Sequence, residues 1–182
     1  DNSSNIYVTG YTEGNLNNFN ADNINAGSKD IFLIKHDSGG TKQWTKLIGT
    51  RTSEIGYGVT VDSSDNNIYV TGETYGGLVG VHTNSGGRDI FLVKYNSSGD
   101  KQWTQQFGTS SDDFGRGVAV DNSSNIYVTG YTQGDLDNNT NSGGYDIFLV
   151  KYNSSGTKQW TQQLGSSSLD EGRGVAGDSS NN

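Results

Sequence analysis

The chain has 182 residues, a net charge of −8, 27 glycines, and no proline, cysteine or methionine. Its longest apolar runs are four or five residues, too short for a transmembrane helix, and without cysteine it has no disulfide framework, zinc ribbon or thiol nucleophile. The acidic balance argues against a nucleic-acid partner, whose phosphates need clustered Lys and Arg. No charged n-region followed by an apolar h-region opens the sequence. A chain that starts at Asp1 and lacks Met is expected to be a piece of something longer.

Gly, Ser, Thr and Asn make up nearly half of the residues, a bias associated with disorder. The apolar residues nevertheless fall in short, regular clusters, which points to many strands joined by many turns. The first cluster is Asn5-Ile6-Tyr7-Val8-Thr9-Gly10, which returns at Asn67 to Gly72 and at Asn125 to Gly130. Asp30-Ile31-Phe32-Leu33-Ile34-Lys35 follows and returns at Asp89 to Lys94 and at Asp146 to Lys151. Lys42-Gln43-Trp44-Thr45 returns at Lys101 to Thr104 and at Lys158 to Thr161. Gly56-Tyr57-Gly58-Val59 returns as Gly115-Arg116-Gly117-Val118 and as Gly172-Arg173-Gly174-Val175. The tryptophans give periods of 59 and 57 residues, so the chain reads as repeats of about 1–61, 62–120 and 121–182.

Each unit holds four predicted strands, which in one copy are Gly117 to Val120, Asn125 to Gly130, Asp146 to Tyr152 and Gln159 to Leu164. The third is apolar on both faces (Ile147-Phe148-Leu149-Val150) and is expected between layers. The fourth alternates, with Trp160 and Leu164 on one side and Gln159, Thr161 and Gln163 on the other, as an outer strand should. No window carries sustained helical spacing, so helix content is expected to be close to nil. Four antiparallel strands per unit with an amphipathic outermost strand describe an all-β propeller blade. A unit near 58 residues exceeds the roughly 40–50 of common propeller repeats, the excess lying between the second and third strands. A β-solenoid is the competing arrangement, but it does not need four distinct strand patterns per unit.

These motifs, Asn-Ile-Tyr-Val-Thr-Gly, Asp-Ile-Phe-Leu-Val-Lys-Tyr-Asn-Ser-Ser-Gly, and Trp-Thr followed by Gly-Arg-Gly-Val-Ala, resemble the SBBP β-propeller repeats over essentially the whole chain. The resemblance implies a propeller, and an extracellular or cell-surface protein of bacterial or archaeal type. It implies no particular activity.

The sequence enters just before a second strand and runs to a first strand, predicted at Gly174 to Gly177, so the blades are circularly permuted. Three blades are too few for a ring of four to eight. Two closures follow. Two chains pair head to tail into a six-bladed ring, each lending its last strand, or the chain is part of a larger propeller.

Repetition also separates scaffold from site. The turns Asp62 to Asn67, Asp121 to Asn125, Asn96 to Asp100 and Asn153 to Thr157 barely change and carry tight-turn chemistry. The opposite face varies, at Gly14 to Lys29, Gly76 to Arg88 and Gly134 to Tyr145, and at Thr50 to Ile55, Thr109 to Phe114 and Ser166 to Glu171. Function on a rigid scaffold concentrates in such loops. The candidate ligand-binding residues there are Glu54, Tyr57, Asp112, Asp113, Arg116, Asp170, Glu171 and Arg173, a polar ring for a sugar, a peptide or a hard cation. The alternative for the same residues is carboxylate–arginine pairing that keeps the surface soluble and holds neighbouring blades together.

Asp30, Asp89 and Asp146, present in every copy, read as blade-stabilising hydrogen-bond groups, and Trp44, Trp103 and Trp160 as inter-blade packing rather than sugar platforms. The Gly-x-Gly segments precede strands, not helices, so they are not nucleotide loops. They let inner strands approach closely. No cofactor is expected. Calcium has weak support from Asp62 to Asn66 and Asp135 to Asn138, neither of which matches the twelve-residue calcium loop. The only histidines, His36 and His82, do not repeat and show no triad spacing. The expectation is a non-catalytic extracellular interaction or structural module. A carbohydrate-binding propeller is the first alternative, and a propeller lyase or hydrolase with His82 or His36 as base is the second.

Overall fold

The computed structural model describes residues 1–14, 16, 27–78 and 83–177. Among the described residues eleven strands follow one another: β1 (Ile6–Thr12), β2 (Asp30–His36), β3 (Lys42–Ile48), β4 (Glu54–Val61), β5 (Ile68–Thr74), β6 (Asp89–Tyr95), β7 (Lys101–Phe107), β8 (Asp113–Val120), β9 (Ile126–Thr132), β10 (Asp146–Tyr152) and β11 (Lys158–Leu164). Among the described residues the one helical element is a single 3-10 turn at Leu136–Asn138. The strands form three antiparallel sheets, ordered β1-β2-β3, β4-β5-β6-β7 and β8-β9-β10-β11. Each sheet is a propeller blade with its strands in chain order from the inside out. The sheets are offset by one strand from the sequence repeats, because the Gly-x-Gly strand pairs with the strand that follows it.

The turns explain why hairpins form where they do. Asp121 Oδ1 accepts hydrogen bonds from the backbone N–H groups of Ser123 and Asn125, and Asn96 Oδ1 accepts those of Ser98 and Asp100. These side chains replace backbone partners inside the turn. Gly99 and Gly156 take φ near +80°, a conformation open to glycine at little cost.

Two joints hold the three blades together, and they share one construction. The joint between the first two blades buries Ile31 and Leu33 against Ile68, Val70, Phe91 and Val93. The next buries Tyr69, Ile90 and Leu92 against Ile126, Val128, Phe148 and Val150. Trp44 lies beneath the Gly99 turn of the following blade and Trp103 beneath the Gly156 turn, at 3.2 and 3.1 Å from the position of a glycine Cβ. The Lys35 ammonium reaches across to the Ser97 carbonyl, and Lys94 to that of Ser154. The glycines let the inner strands close: a Cβ on Gly58 would lie 3.1 Å from the Arg116 carbonyl, and one on Gly117 3.1 Å from the Gly174 Cα.

One expectation is corrected. Gly174 to Gly177 do not form a strand, and among the described residues the first blade has three strands. The segment is nonetheless laid beside β8, where the inner strand of a next blade belongs. The Asp170 N–H donates to the Tyr145 carbonyl, as the Glu54 N–H does to Lys29 and the Asp113 N–H to Arg88. What it lacks, among the described residues, is a strand to pair with.

Candidate functional site

The variable face is built from the loops after the second strand of each blade and from the starts of the inner strands. In the second and third blades the long loop is pinned from below. The Gln106 amide donates to the Gly76 carbonyl and the Asp89 carboxylate and accepts from the Leu78 N–H. Gln163 repeats this with Gly134, Asp146 and Leu136. Leu78 and Leu136 are buried as plugs, whereas Leu16, at the equivalent position, is 41% exposed. Leu47 stands where the other blades have Gln106 and Gln163.

The eight candidate residues divide into two groups. Glu54 and Asp113 are fully buried and do not reach the surface, which corrects their placement on the binding face. The Glu54 carboxylate accepts the hydroxyls of Thr50, Thr52 and Thr74 and the Thr50 N–H. Asp113 accepts the Thr109 N–H and the hydroxyls of Thr109 and Thr132. Asp170 repeats the motif on Ser166, and these bonds hold its carboxyl below the usual range. All three close the inter-blade turn, and for Glu54 and Asp113 the bonds satisfy carboxylates that would otherwise be buried without partners. Burial pushes the Asp113 carboxyl up to about 6, against the pull of its hydrogen bonds and with a further push from the Asp89 charge.

Tyr57, Asp112, Arg116, Glu171 and Arg173 remain on the face. Tyr57 and Arg116 are the extra residues at inner-strand bulges, where the register shifts between Gly56 and Gly58 and between Gly115 and Gly117. The structure brings Tyr57, Arg116 and Asp112 together at the joint of the second and third blades. The Arg116 guanidinium stacks 3.9 Å from the Tyr57 ring centroid and donates to the Tyr131 hydroxyl at 2.5 Å. It also lies 3.6 Å from Glu73. Arg88 approaches Glu73 at 3.3 Å and Asp112 at 3.0 Å, with its guanidinium 4.6 Å from the Tyr75 ring centroid. Phe114 stacks on Tyr131 at 4.6 Å, and Tyr145 meets Tyr131 edge-on. Burial pushes the Glu73 carboxyl up, while the Arg116 and Arg88 charges pull it back. Arg173, by contrast, pairs with Glu171 two residues away and is 74% exposed.

Glu73, Arg88, Tyr131 and Tyr145 thus join a cluster that the sequence reading left without them. A signal was available: Glu73 interrupts a motif that reads Ile-Tyr-Val-Thr-Gly-Tyr-Thr in both other copies. Elsewhere, Asp137 pairs with Lys158 and the Thr161 hydroxyl, and Asp62 binds its own turn at Ser64. Among the described residues no three His, Asp or Glu side chains gather as metal ligands. His36 ends β2, and His82 lies outside the described residues.

Repeated four-stranded blades with a uniform turn face and a variable loop face define the β-propeller class. The β-propeller repeat family SBBP matches at two of the repeats, residues 43–78 and 102–137, each running from an outer strand to the loop after the next blade's second strand. The chain is similar to the regulatory protein FlaEY of Caulobacter vibrioides, 28% identical over 158 residues, covering 79% of this chain and 16% of that one. It is also similar to an uncharacterized WD repeat-containing protein, L264, of Acanthamoeba polyphaga mimivirus, 28% identical over 195 residues, covering 84% of this chain and 14% of that one. The chain therefore spans about one-sixth or less of the length of these relatives.

Proposed function

We propose that the protein is a non-catalytic extracellular interaction and structural module: a rigid propeller that presents its variable face to a partner and closes its ring by pairing head to tail with a second copy. The observation that carries this reading is how the repeated polar residues are used. Asp89, Asp146, Glu54 and Asp113 are buried and hydrogen-bonded within the blades and turns, while Trp44 and Trp103 pack between blades. Groups used in this way hold the scaffold. FlaEY carries the description of a regulatory protein, which accords with a binding role, and propellers commonly act through protein contacts. The test is capture of binding partners by the intact chain, compared with a chain carrying Tyr57→Ala and Arg88→Ala together. The reading expects partners lost only from the variant, and equal capture by both contradicts it.

One feature favours a carbohydrate as the ligand. Tyr57 and Tyr75 expose 42% and 43% of their surface beside the Arg88–Asp112 pair, and an aromatic face next to hydrogen-bonding charges suits a sugar ring. A glycan array on the same two proteins tests it: sugar binding lost in the variant supports a lectin, and no binding by either removes it.

A further inference from the structure

The second and third blades build the same corner where the outer strand begins, and they use it differently. In the third blade Tyr152 ends β10, Lys158 opens β11 opposite it, and Thr161 stands opposite Val150. The loop after β9 brings Asp137 into this corner, where the Lys158 ammonium and the Thr161 hydroxyl donate to its carboxylate. Against the push of burial, these bonds hold the Asp137 carboxyl below its usual range. Burial pushes the Tyr152 hydroxyl up, and the Asp137 charge adds to that push. The Phe107 ring of the second blade closes the corner, its centroid 5.7 Å from the Lys158 ammonium and 5.9 Å from that of Tyr152.

In the second blade Tyr95, Lys101 and Thr104 hold the equivalent positions, with Lys101 opposite Tyr95 and Thr104 opposite Val93. The loop from Gly76 to Arg88 contains neither Asp nor Glu. Among the described residues Lys101 makes no ion pair, and the Tyr95 and Thr104 hydroxyls are buried without a hydrogen-bond partner. Tyr95 itself is only 2% exposed. Buried polar groups are ordinarily paired, so these two hydroxyls and one ammonium offer three donors to an acceptor from outside the blade. Ile48 stands where the next joint has Phe107. Beside it lies a cleft of about 330 Å³ between the first and second blades, bordered by Lys46, Ile48, Tyr95 and Lys101. The one acid at the cleft, Asp100, accepts from the Asn96 amide.

We infer that Lys101, Thr104 and Tyr95 bind the carboxylate of an acidic side chain from a protein partner, with a bulky apolar neighbour of that side chain seated against Ile48 in the cleft. Asp137 is the pattern for the acid, a side chain delivered on a peptide loop, and Phe107 is the pattern for its apolar neighbour. A carboxylate has about four lone-pair sites and accepts charge-assisted hydrogen bonds from an ammonium and two hydroxyls together. An amide in its place keeps one acceptor oxygen and loses the charge, so the site selects Asp or Glu over Asn or Gln. The inference rests on the reading of the protein as an interaction module, but it uses no residue of the variable-face cluster.

The probe is acetyl-Phe-Asp-amide, titrated into the intact protein and followed by NMR, with acetyl-Phe-Asn-amide as its control. The Asp peptide is expected to bind about tenfold tighter than the control, with the largest shifts at Tyr95, Lys101 and Thr104. Equal binding of both peptides, shifts centred elsewhere, or no saturation by about 10 mM overturns the inference. Acetate that competes as strongly as the peptide overturns the assignment to a partner's side chain. Lys101→Ala, an exposed change, is expected to weaken the Asp peptide about tenfold and Lys101→Arg to retain it; unaltered binding by Lys101→Ala contradicts the site. Thr104→Val removes a hydroxyl that has no partner in its own chain. It is expected to weaken binding about threefold without lowering the melting temperature, whereas a merely structural hydroxyl would lower the melting temperature and leave binding unchanged. The Tyr57→Ala and Arg88→Ala double variant is expected to bind the peptide as the unmodified protein does. Peptide binding that fails while the variable face still captures partners strikes this site alone, and peptide binding that persists while that capture fails strikes the variable-face reading alone.

Discussion

The first and second blades open on the same five residues, Ile-Tyr-Val-Thr-Gly, at 6–10 and 68–72. In the second blade Ile68 and Val70 are inaccessible to solvent, while in the first Ile6 and Val8 are about half exposed. Equal sequences therefore have unequal environments, and the difference comes from what lies beside each blade. A propeller strand carries the pattern for a joint, and the joint exists only when a neighbour supplies the other half. The long loops repeat the lesson, since Leu78 and Leu136 are buried under loops pinned by a glutamine, and Leu16 is exposed where Leu47 replaces it.

The comparison breaks most readily at its apolar residues. Ile68→Ala removes a buried side chain from a full joint and is expected to cost about 2–5 kcal/mol. Ile6→Ala in the separated chain is expected to cost less than about 1 kcal/mol, since surface changes stay small. Urea titrations of both at low protein concentration check this. Similar losses there would mean that a neighbour already covers the first blade.

The glycines give the next largest contrast. Gly130→Ala drives a Cβ into the Phe114 carbonyl and is expected to lower stability by about 3 kcal/mol, at the upper end of overpacking costs. Gly10→Ala should cost about a third of that, because only the end of the Phe32 ring must move. Thermal melts of the two variants measure the difference.

Arg116 and Arg173 occupy equivalent positions in full and empty surroundings. Arg116→Ala leaves Glu73 buried with Arg88 alone to balance it, and the expected loss is about 2 kcal/mol, below the roughly 3–5 of a fully uncompensated pair. Arg173→Ala removes an exposed pair and should change stability by less than about 0.5 kcal/mol. Chemical denaturation distinguishes them, and equal losses would deny Arg116 its role at the joint.

The remaining effect is a dependence on pH. The Asp113 carboxyl titrates near 6 in the fold and near 3.8 in the unfolded chain. Between these values the fold holds a proton that the unfolded chain has released. Stability from this group is complete below pH 3.8 and is lost as the pH rises through about 6. Moving from pH 7.5 to 4.5 is therefore expected to stabilise the fold by up to about 2 kcal/mol, ~1.4 kcal/mol per pH unit over the ~1.5 units below the folded value. Asp113→Asn should remove that gain. An unchanged slope in the variant would assign it elsewhere.

Much of this architecture was legible beforehand. Strand type followed from alternation and β-branched content, and the strand Asp146–Tyr152 begins and ends at the expected residues. The other strands run one to four residues further, because pairing extends through polar positions such as Asp113 and Thr132 that carry no apolar signal. The site was less legible. Glu54 and Asp113 look like surface carboxylates, and only the three-dimensional closure of the inter-blade turn buries them among threonine hydroxyls. Glu73 and Arg88 are fifteen residues apart and meet through blade packing, which spacing does not reveal. Gly174 to Gly177 carry the residues of a strand but not its partner, and a strand is made by two.

The proposed function includes closure of the ring by pairing with a second copy. Sedimentation equilibrium or light scattering of the unmodified protein tests it most directly. A single species of twice the 19.5 kDa chain mass, dissociating only on dilution, is expected. A monodisperse particle of 19.5 kDa at high concentration would contradict it.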